Sequence, residues 1–325
     1  MLLEIRNLDV EYRVPGGIIK AVNRANLNVA EGESLGLAGE SGCGKSTLGN
    51  AIMRILAAEG RISGGSINFG GVDLLVLSEA KMREVRWRDI SMIFQGAMNS
   101  FDPTMTIENQ IAEAILVHQS SVGKKTALER ARELLRLCEI SPTLGKRYPH
   151  ELSGGMKQRA CIAMALILHP RMVIADEITT ALDVMIQAQI FRLLRKMKEE
   201  FKLAMIVISH DLSVLAENCD HLAVMYVGHI VETGRCYDVL HSPKHPYVKG
   251  LQFCIPKFGS NREVIPAIKG SIPSLLSPPP GCPFNPRCPI AIPECQTVPP
   301  KLVPIDTGGH SVACHRHDYE GVVWK

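Results

Sequence analysis

At 325 residues, with 46% apolar and 21% charged side chains and a formal net charge of +3, the chain can hold one large globular domain and an appendage. Nine Lys/Arg against five Asp/Glu in residues 240–325 is too small a tilt to point to a nucleic-acid partner. Glu4 and Arg6 interrupt the opening where a secretion signal needs an unbroken apolar stretch, and no run reaches the ~18 apolar residues of a membrane-spanning helix, so neither feature is expected.

The first element with chemistry in it is Glu33–Ala38 (Glu-Ser-Leu-Gly-Leu-Ala), which predicts a short buried strand. It leads into Gly39-Glu40-Ser41-Gly42-Cys43-Gly44-Lys45-Ser46-Thr47 and then a predicted helical stretch, Leu48–Ala58. This is GxxxxGK[ST] in its strand–loop–helix setting. Glycines let successive N–H groups curl around phosphates without obstruction, and the helix start adds the positive end of its dipole. Lys45 is expected to reach the β- and γ-phosphates of a nucleotide and the Ser46 hydroxyl to ligate Mg²⁺.

Ile90–Phe94 is apolar and ends at Gln95, whose role the local sequence leaves open. Residues 96–160 hold charged, periodically apolar stretches such as Ala127–Cys138, which predict amphipathic helices. Among them, Leu152-Ser153-Gly154-Gly155-Met156-Lys157-Gln158-Arg159 puts a hydroxyl and unobstructed amides at a helix start, a second anion cradle. Arg171–Glu177 predicts another buried strand, ending in two acids. Asp176 suits a Mg²⁺-bridging carboxylate, and Glu177 could polarise an attacking water. The apolar run Leu203–Ser209 matches a strand covered on both faces and stops at His210. Taken alone, His210 reads more readily as a satisfied edge residue than as a catalytic one.

Near His241-Ser242-Pro243 the character changes, since 15 of the 20 prolines follow position 240, and an irregular tail is predicted. Ten cysteines without a secretion signal point to a reducing compartment, where clustering suggests metal more than disulfides. Cys282, Cys288, Cys295 and Cys314 are spaced C-x5-C-x6-C-x18-C. Four thiolates so spread suit an iron–sulfur cube better than zinc, which usually takes close cysteine pairs. His310, His315 and His317 nearby keep zinc open, and free thiols that simply pack are a third reading.

Leu152–Arg159, lying between Gln95 and Asp176, resembles the signature of the ATP-binding cassette (ABC) ATPases, and the similarity to that family runs from residue 1 to about 240. The resemblance implies an α/β fold, a P-loop ABC nucleotide-binding domain over 1–240 with a mixed sheet core and a helical subdomain at about 96–160, plus a small irregular cysteine-rich domain over 241–325. It implies ATP and Mg²⁺ as cofactors. Tyr12 would then stack on adenine, while Gly39, Ser41, Gly42, Cys43, Gly44, Lys45, Ser46 and Thr47 bind the phosphates. Gln95 would join Ser46 and Asp176 at Mg²⁺ and couple to a membrane subunit, and Glu177 and His210 would be catalytic. Ser153, Gly154, Gly155 and Gln158 would close on the ATP of a partner subunit. Asp183, in Ala181-Leu182-Asp183, would communicate between the two composite sites. One position departs from the family: Ile178 stands where proline, with its fixed φ, usually presets the turn.

The tail, preceded by His245-Pro246-Tyr247, resembles that of the oligopeptide/dipeptide/nickel-importer ATPases, which implies a [4Fe–4S] cluster on Cys282, Cys288, Cys295 and Cys314, with zinc as the lesser alternative. The resulting expectation is an ATP-hydrolysing subunit on the cytoplasmic face of the cell membrane that powers peptide import. Its partners would be a second, related ATPase chain, two membrane permeases and, indirectly, an extracytoplasmic substrate-binding protein, with no nucleic acid. Oligosaccharide or nickel import remains an alternative, as does a soluble ABC ATPase of DNA repair or translation. Against the last, the 58 positions from Gln95 to Ser153 leave no room for a long coiled-coil insertion.

Overall fold

The computed structural model describes residues 1–96, 100–180, 182–254 and 267–319, and its chain forms two compact units, each assembled from separated stretches of sequence. The first comprises Met1–Leu2, Val29–Ser34 and Asp73–Ile208. In it the strands Ile90–Ile93, Met172–Asp176 and Ala204–Ile208 run parallel, paired Ile90↔Met172 and Met172↔Ala204. Every residue in the three is buried. Their largely apolar runs, broken only by Ser91 and the terminal Asp176, are what that position demands, because a strand covered on both faces has no solvent-facing side. Parallel strands deliver their C-terminal ends to one edge, so Gln95 and the Asp176-Glu177 pair emerge together.

Four longer helices complete this unit: Ile107–His118, Lys124–Leu137, Gly154–Leu166 and Val184–Phe201. The amphipathic stretch expected at Ala127–Cys138 is the second of them, burying Ala127, Ala131, Leu134 and Leu135 along one stripe. Glu108 on the first helix receives both Nε and an Nη of Arg132, at 2.7 and 3.0 Å, which fixes how the pair packs. No helix among the described residues is long and apolar enough to cross a membrane.

The second unit comprises Leu3–Asn28, Leu35–Val72 and Ser209–Lys325. Leu3–Val14 pairs antiparallel with Gly60–Phe69, from Leu3↔Phe69 to Tyr12↔Gly60, within a four-stranded sheet completed by Gly17–Val29 and Val72–Asp73. The buried strand Ser34–Ala38 lies parallel to His221–Tyr226, which turns through Val227-Gly228 into the antiparallel strand His229–Arg235. Ser311–Val312 then pairs with Glu232 and Thr233, and Val303–Pro304 pairs with it in turn. The proline-rich tail thus extends a sheet of the second unit and forms no compact unit of its own. Glu232 anchors it: this fully buried carboxylate accepts the amides of Lys244 and His245 at 2.8 and 2.7 Å and lies 2.7 Å from His310 Nε2.

The helix expected at Leu48–Ala58 runs instead from Lys45 to Met53. Arg54 takes the left-handed conformation (φ 51°) and returns its amide to the carbonyls of Ala51 and Asn50, closing the helix early.

Candidate functional site

The phosphate loop lies wholly in the second unit, between the strand Ser34–Ala38 and the helix Lys45–Met53. Two of its glycines are there by steric necessity. A Cβ on Gly39 (φ 146°) would sit 2.3 Å from the carbonyl oxygen of Met225, and one on Gly44 (φ 108°) 2.1 Å from that of Ala21. The loop is therefore pressed against the neighbouring backbone while Ser41 and Gly42 stay exposed. Cys43 turns its thiol inward, where burial raises its pKa, so it contributes only backbone to the open side. Lys45 is 4% exposed, and its ammonium donates to the carbonyls of Gly39 (2.8 Å) and Glu40 (3.1 Å). The cation is thus held back across its own loop, at the start of the helix Lys45–Met53, where the first N–H groups of a helix have no partner within it. Ser46 and Thr47, half-buried, follow in the first turn.

Sequence reasoning passed over Glu40, which occupies a variable position of the motif. Its amide donates to Tyr247 Oη at 2.9 Å, its carbonyl accepts from Lys45, and its carboxylate takes both guanidinium nitrogens of Arg287 at 2.7 and 3.0 Å. Tyr247 and Arg287 lie 207 and 247 positions away, and no local pattern announces either.

Elsewhere in this unit, Tyr12 lays its half-exposed ring over Gly60, its cross-strand partner, where a Cβ would be 2.6 Å from the ring. His210 is exposed just beyond the end of its strand.

The first unit carries the other candidates. Asp176 is 3% exposed at the end of its strand. Glu177 adopts φ 44° and points its carboxylate at Gln95, whose Nε2 donates to Oε2 at 2.9 Å. Its carbonyl is gripped by the hydroxyl of Thr180 at 3.0 Å, and Ile178, 4% exposed, is packed inside the turn. The turn is therefore secured by burial and hydrogen bonding at the place where proline was expected. Ser153 caps the helix Gly154–Leu166, its Oγ accepting from Met156 N–H, and both Ser153 and Gly154 are exposed. Gly155 is buried because a Cβ there would come within 3.1 Å of Ile186. Gln158 is 2% exposed and its Nε2 meets no acceptor, so it faces inward, away from the edge that Ser153 and Gly154 form. Asp183 is exposed and caps the helix Val184–Phe201 through Ile186 N–H at 3.0 Å, while Ala181 lies outside the described residues.

The metal expectation for the tail is corrected. Cys282, Cys288, Cys295 and Cys314 are all free and line a common cavity with Phe284 and His245. Yet among the described residues no group of three or more His, Cys, Asp or Glu is placed to hold a metal ion. Neither the [4Fe–4S] cluster nor the zinc alternative is supported. Burial pushes the thiols upward, Cys282 to about 12, Cys288 to about 11 and Cys314 in the same direction. The histidines are otherwise engaged: His310 with Glu232, His315 with the carbonyl of Val298 and His317 with that of Cys314. Spacing and the resemblance of the tail suggested a ligand set; in the fold these cysteines pack the tail.

Comparison with known proteins bears on the whole length. The family model described as ABC transporter matches residues 22–180, and that described as oligopeptide/dipeptide transporter, C-terminal region, matches residues 231–295. The oligopeptide transport ATP-binding protein OppD of Escherichia coli (strain K12) is 45% identical over 92% of this chain and 89% of its own. The dipeptide transport ATP-binding protein DppD of Bacillus subtilis (strain 168) is 42% identical over 98% and 95% respectively. Among solved structures, a dimeric ATP-binding cassette in a post-hydrolysis state, bound to ADP and phosphate, matches with a TM-score of 0.65. That match has 26% identity and covers 72% of this chain and 99% of that one.

Proposed function

The chain belongs to the ABC transporter ATPases, and on that premise we propose that it powers the import of oligopeptides or dipeptides as the ATP-hydrolysing subunit of a membrane transporter. The observation that carries the reading is the phosphate loop: a glycine-rich cradle at a helix start that admits no Cβ at Gly39 or Gly44, with the Lys45 ammonium held across it. Such a cradle fits the triphosphate of ATP, and the hydroxyl and carboxylate available at Ser46 and Asp176 are oxygen donors of the kind Mg²⁺ takes. Bound Mg²⁺ supplies charge neutralisation at the phosphates.

The protein's own groups do the rest in this reading. Lys45 leaves its loop carbonyls for the β- and γ-phosphates. Glu177, held by Gln95, orients the attacking water, and His210 contacts the γ-phosphate. Tyr12 offers its ring to adenine. Ser153, Gly154 and Gly155 form a second anion cradle that serves the nucleotide of a partner cassette, and Asp183, at the start of the next helix, communicates between the two sites. That the solved relative is a dimer supports this arrangement.

The partner cassette is a related but different chain, the pair docks on two permeases at the cytoplasmic face of the membrane, and an extracytoplasmic binding protein supplies substrate. The division at 240/241 into a cassette and a branch-specific tail rests on the proline count and on the match to the peptide-transporter C-terminal region. Reconstituting the full transporter and measuring its ATPase rate tests the assignment. Addition of permeases, binding protein and peptide raises hydrolysis several-fold; a rate indifferent to all of them would refute coupling to transport.

A further inference from the structure

The tail reaches into the phosphate loop at one point. Arg287 is 4% exposed along its side chain and directs its whole fork inward: two bonds to the Glu40 carboxylate, others to the carbonyls of Ile268 (3.3 Å) and Lys269 (3.2 Å) and to Tyr226 Oη (3.3 Å). Its planar group lies 5.8 Å from the Tyr226 ring and 6.0 Å from that of Phe284. Tyr226, Tyr247 and Phe284 are each no more than 1% exposed and pack on one another, with centroids 4.6, 5.2 and 5.4 Å apart. The floor beneath Glu40 is therefore rigid, and three of its pieces, Tyr247, Phe284 and Arg287, come from the tail. The guanidinium of this bidentate pair is buried while the Glu40 carboxylate is 25% exposed, so the larger cost falls where Arg287 is left behind desolvated without its carboxylate. Glu40 in turn fixes the carbonyl that receives Lys45.

We propose that Arg287 is a positioning residue of the ATP site: through Glu40, with Tyr247 supporting the same peptide unit, the tail sets the shape of the phosphate loop and the resting place of Lys45. This rests on the reading of the loop as the ATP site. It gives the tail a task that needs no bound metal, and it predicts that the tail affects nucleotide grip in proportion to the phosphates gripped.

The test is equilibrium binding of ATP, ADP and AMP to the full chain, using wild type, Arg287→Gln, Arg287→Lys, Glu40→Gln and the double variant Arg287→Gln/Glu40→Gln. Thermal melting runs in parallel. Lys45→Ala serves as the control for the site and Arg316→Gln as the control for the tail, since the Arg316 guanidinium bonds to the carbonyl of Ile290 and stacks on Tyr319. Arg287→Gln and Glu40→Gln are each expected to weaken ATP and ADP binding about tenfold, the scale of one charge-assisted buried contact. The double variant should be no worse than either single one, Arg287→Lys should recover part of the loss, and AMP binding should not change. Arg316→Gln should bind ATP like wild type. Equal losses for all three nucleotides would mean general destabilisation and would overturn the proposal. So would additive losses in the double variant, or wild-type ATP binding in Glu40→Gln. If Lys45→Ala itself bound ATP normally, the site reading would fall instead.

Discussion

Glu177 carries the sharpest single-residue claim. It sits in the left-handed region directly after a buried strand, a backbone state that costs a non-glycine residue about 1–2 kcal/mol and persists only where its surroundings enforce it. The bond from Gln95 and the Thr180 grip do the enforcing. Glu177→Gln keeps the shape and removes the charge that orients water, so turnover in the assembled transporter should fall about 100-fold or more while ATP binding persists. Unchanged hydrolysis would remove Glu177 from the mechanism. Lys45→Ala should lose nucleotide affinity itself. Both residues were legible in the sequence, because loop and strand fix their positions within a few residues. Glu40 and Arg287 were not: an ion pair spanning 247 positions leaves no periodicity to read. The cysteine spacing misled for a related reason, since it records separation along the chain and says nothing of how the thiols meet.

At the level of elements, the buried strands were readable because five consecutive buried residues require an apolar run, and Met172–Asp176 and Ala204–Ile208 fall within one residue at each end of the expected bounds. The end of the phosphate-loop helix was not, since a left-handed arginine is set by tertiary context. The caps yield a direct prediction. Ser153→Ala removes the acceptor for Met156 N–H, which should cost about 1 kcal/mol of stability in chemical denaturation. Two histidines, His245 and His229, yield a second. Burial lowers His245 to about 3 and His229 to about 4, from an ordinary 6.5. Above pH 6.5 both are neutral whether folded or unfolded, and their contribution to stability is complete. As pH falls below 6.5 the unfolded chain takes up protons that the folded chain refuses. Stability should drop by about 1.4 kcal/mol per histidine per pH unit, until about pH 4 for His229 and pH 3 for His245. Unfolding free energies measured from pH 7 to 4.5 should show this slope, shallower in His245→Gln; equal slopes would mean His245 titrates normally in the fold.

For the whole molecule, the two anion cradles have separate tasks under the proposed function. Lys45 and Ser153 of one chain are there assigned to different ATP molecules, so that hydrolysis would require two cassettes. The isolated chain should therefore hydrolyse slowly, with a specific rate that rises with its own concentration; a full rate independent of concentration would rule out the shared site. Fold class and cassette order were legible at this scale because the motifs occur in a fixed succession. The integration of the tail was not, since proline-rich composition predicts irregularity and is silent on the strand pairing of Ser311–Val312 and the insertion of Phe284. The central claim is that hydrolysis by this chain drives peptide import, and uptake of a labelled peptide into proteoliposomes holding the complete transporter measures it most directly. The account predicts ATP-dependent accumulation against a gradient that is abolished by Glu177→Gln in this chain. Accumulation that continues without ATP, or survives Glu177→Gln undiminished, would contradict it.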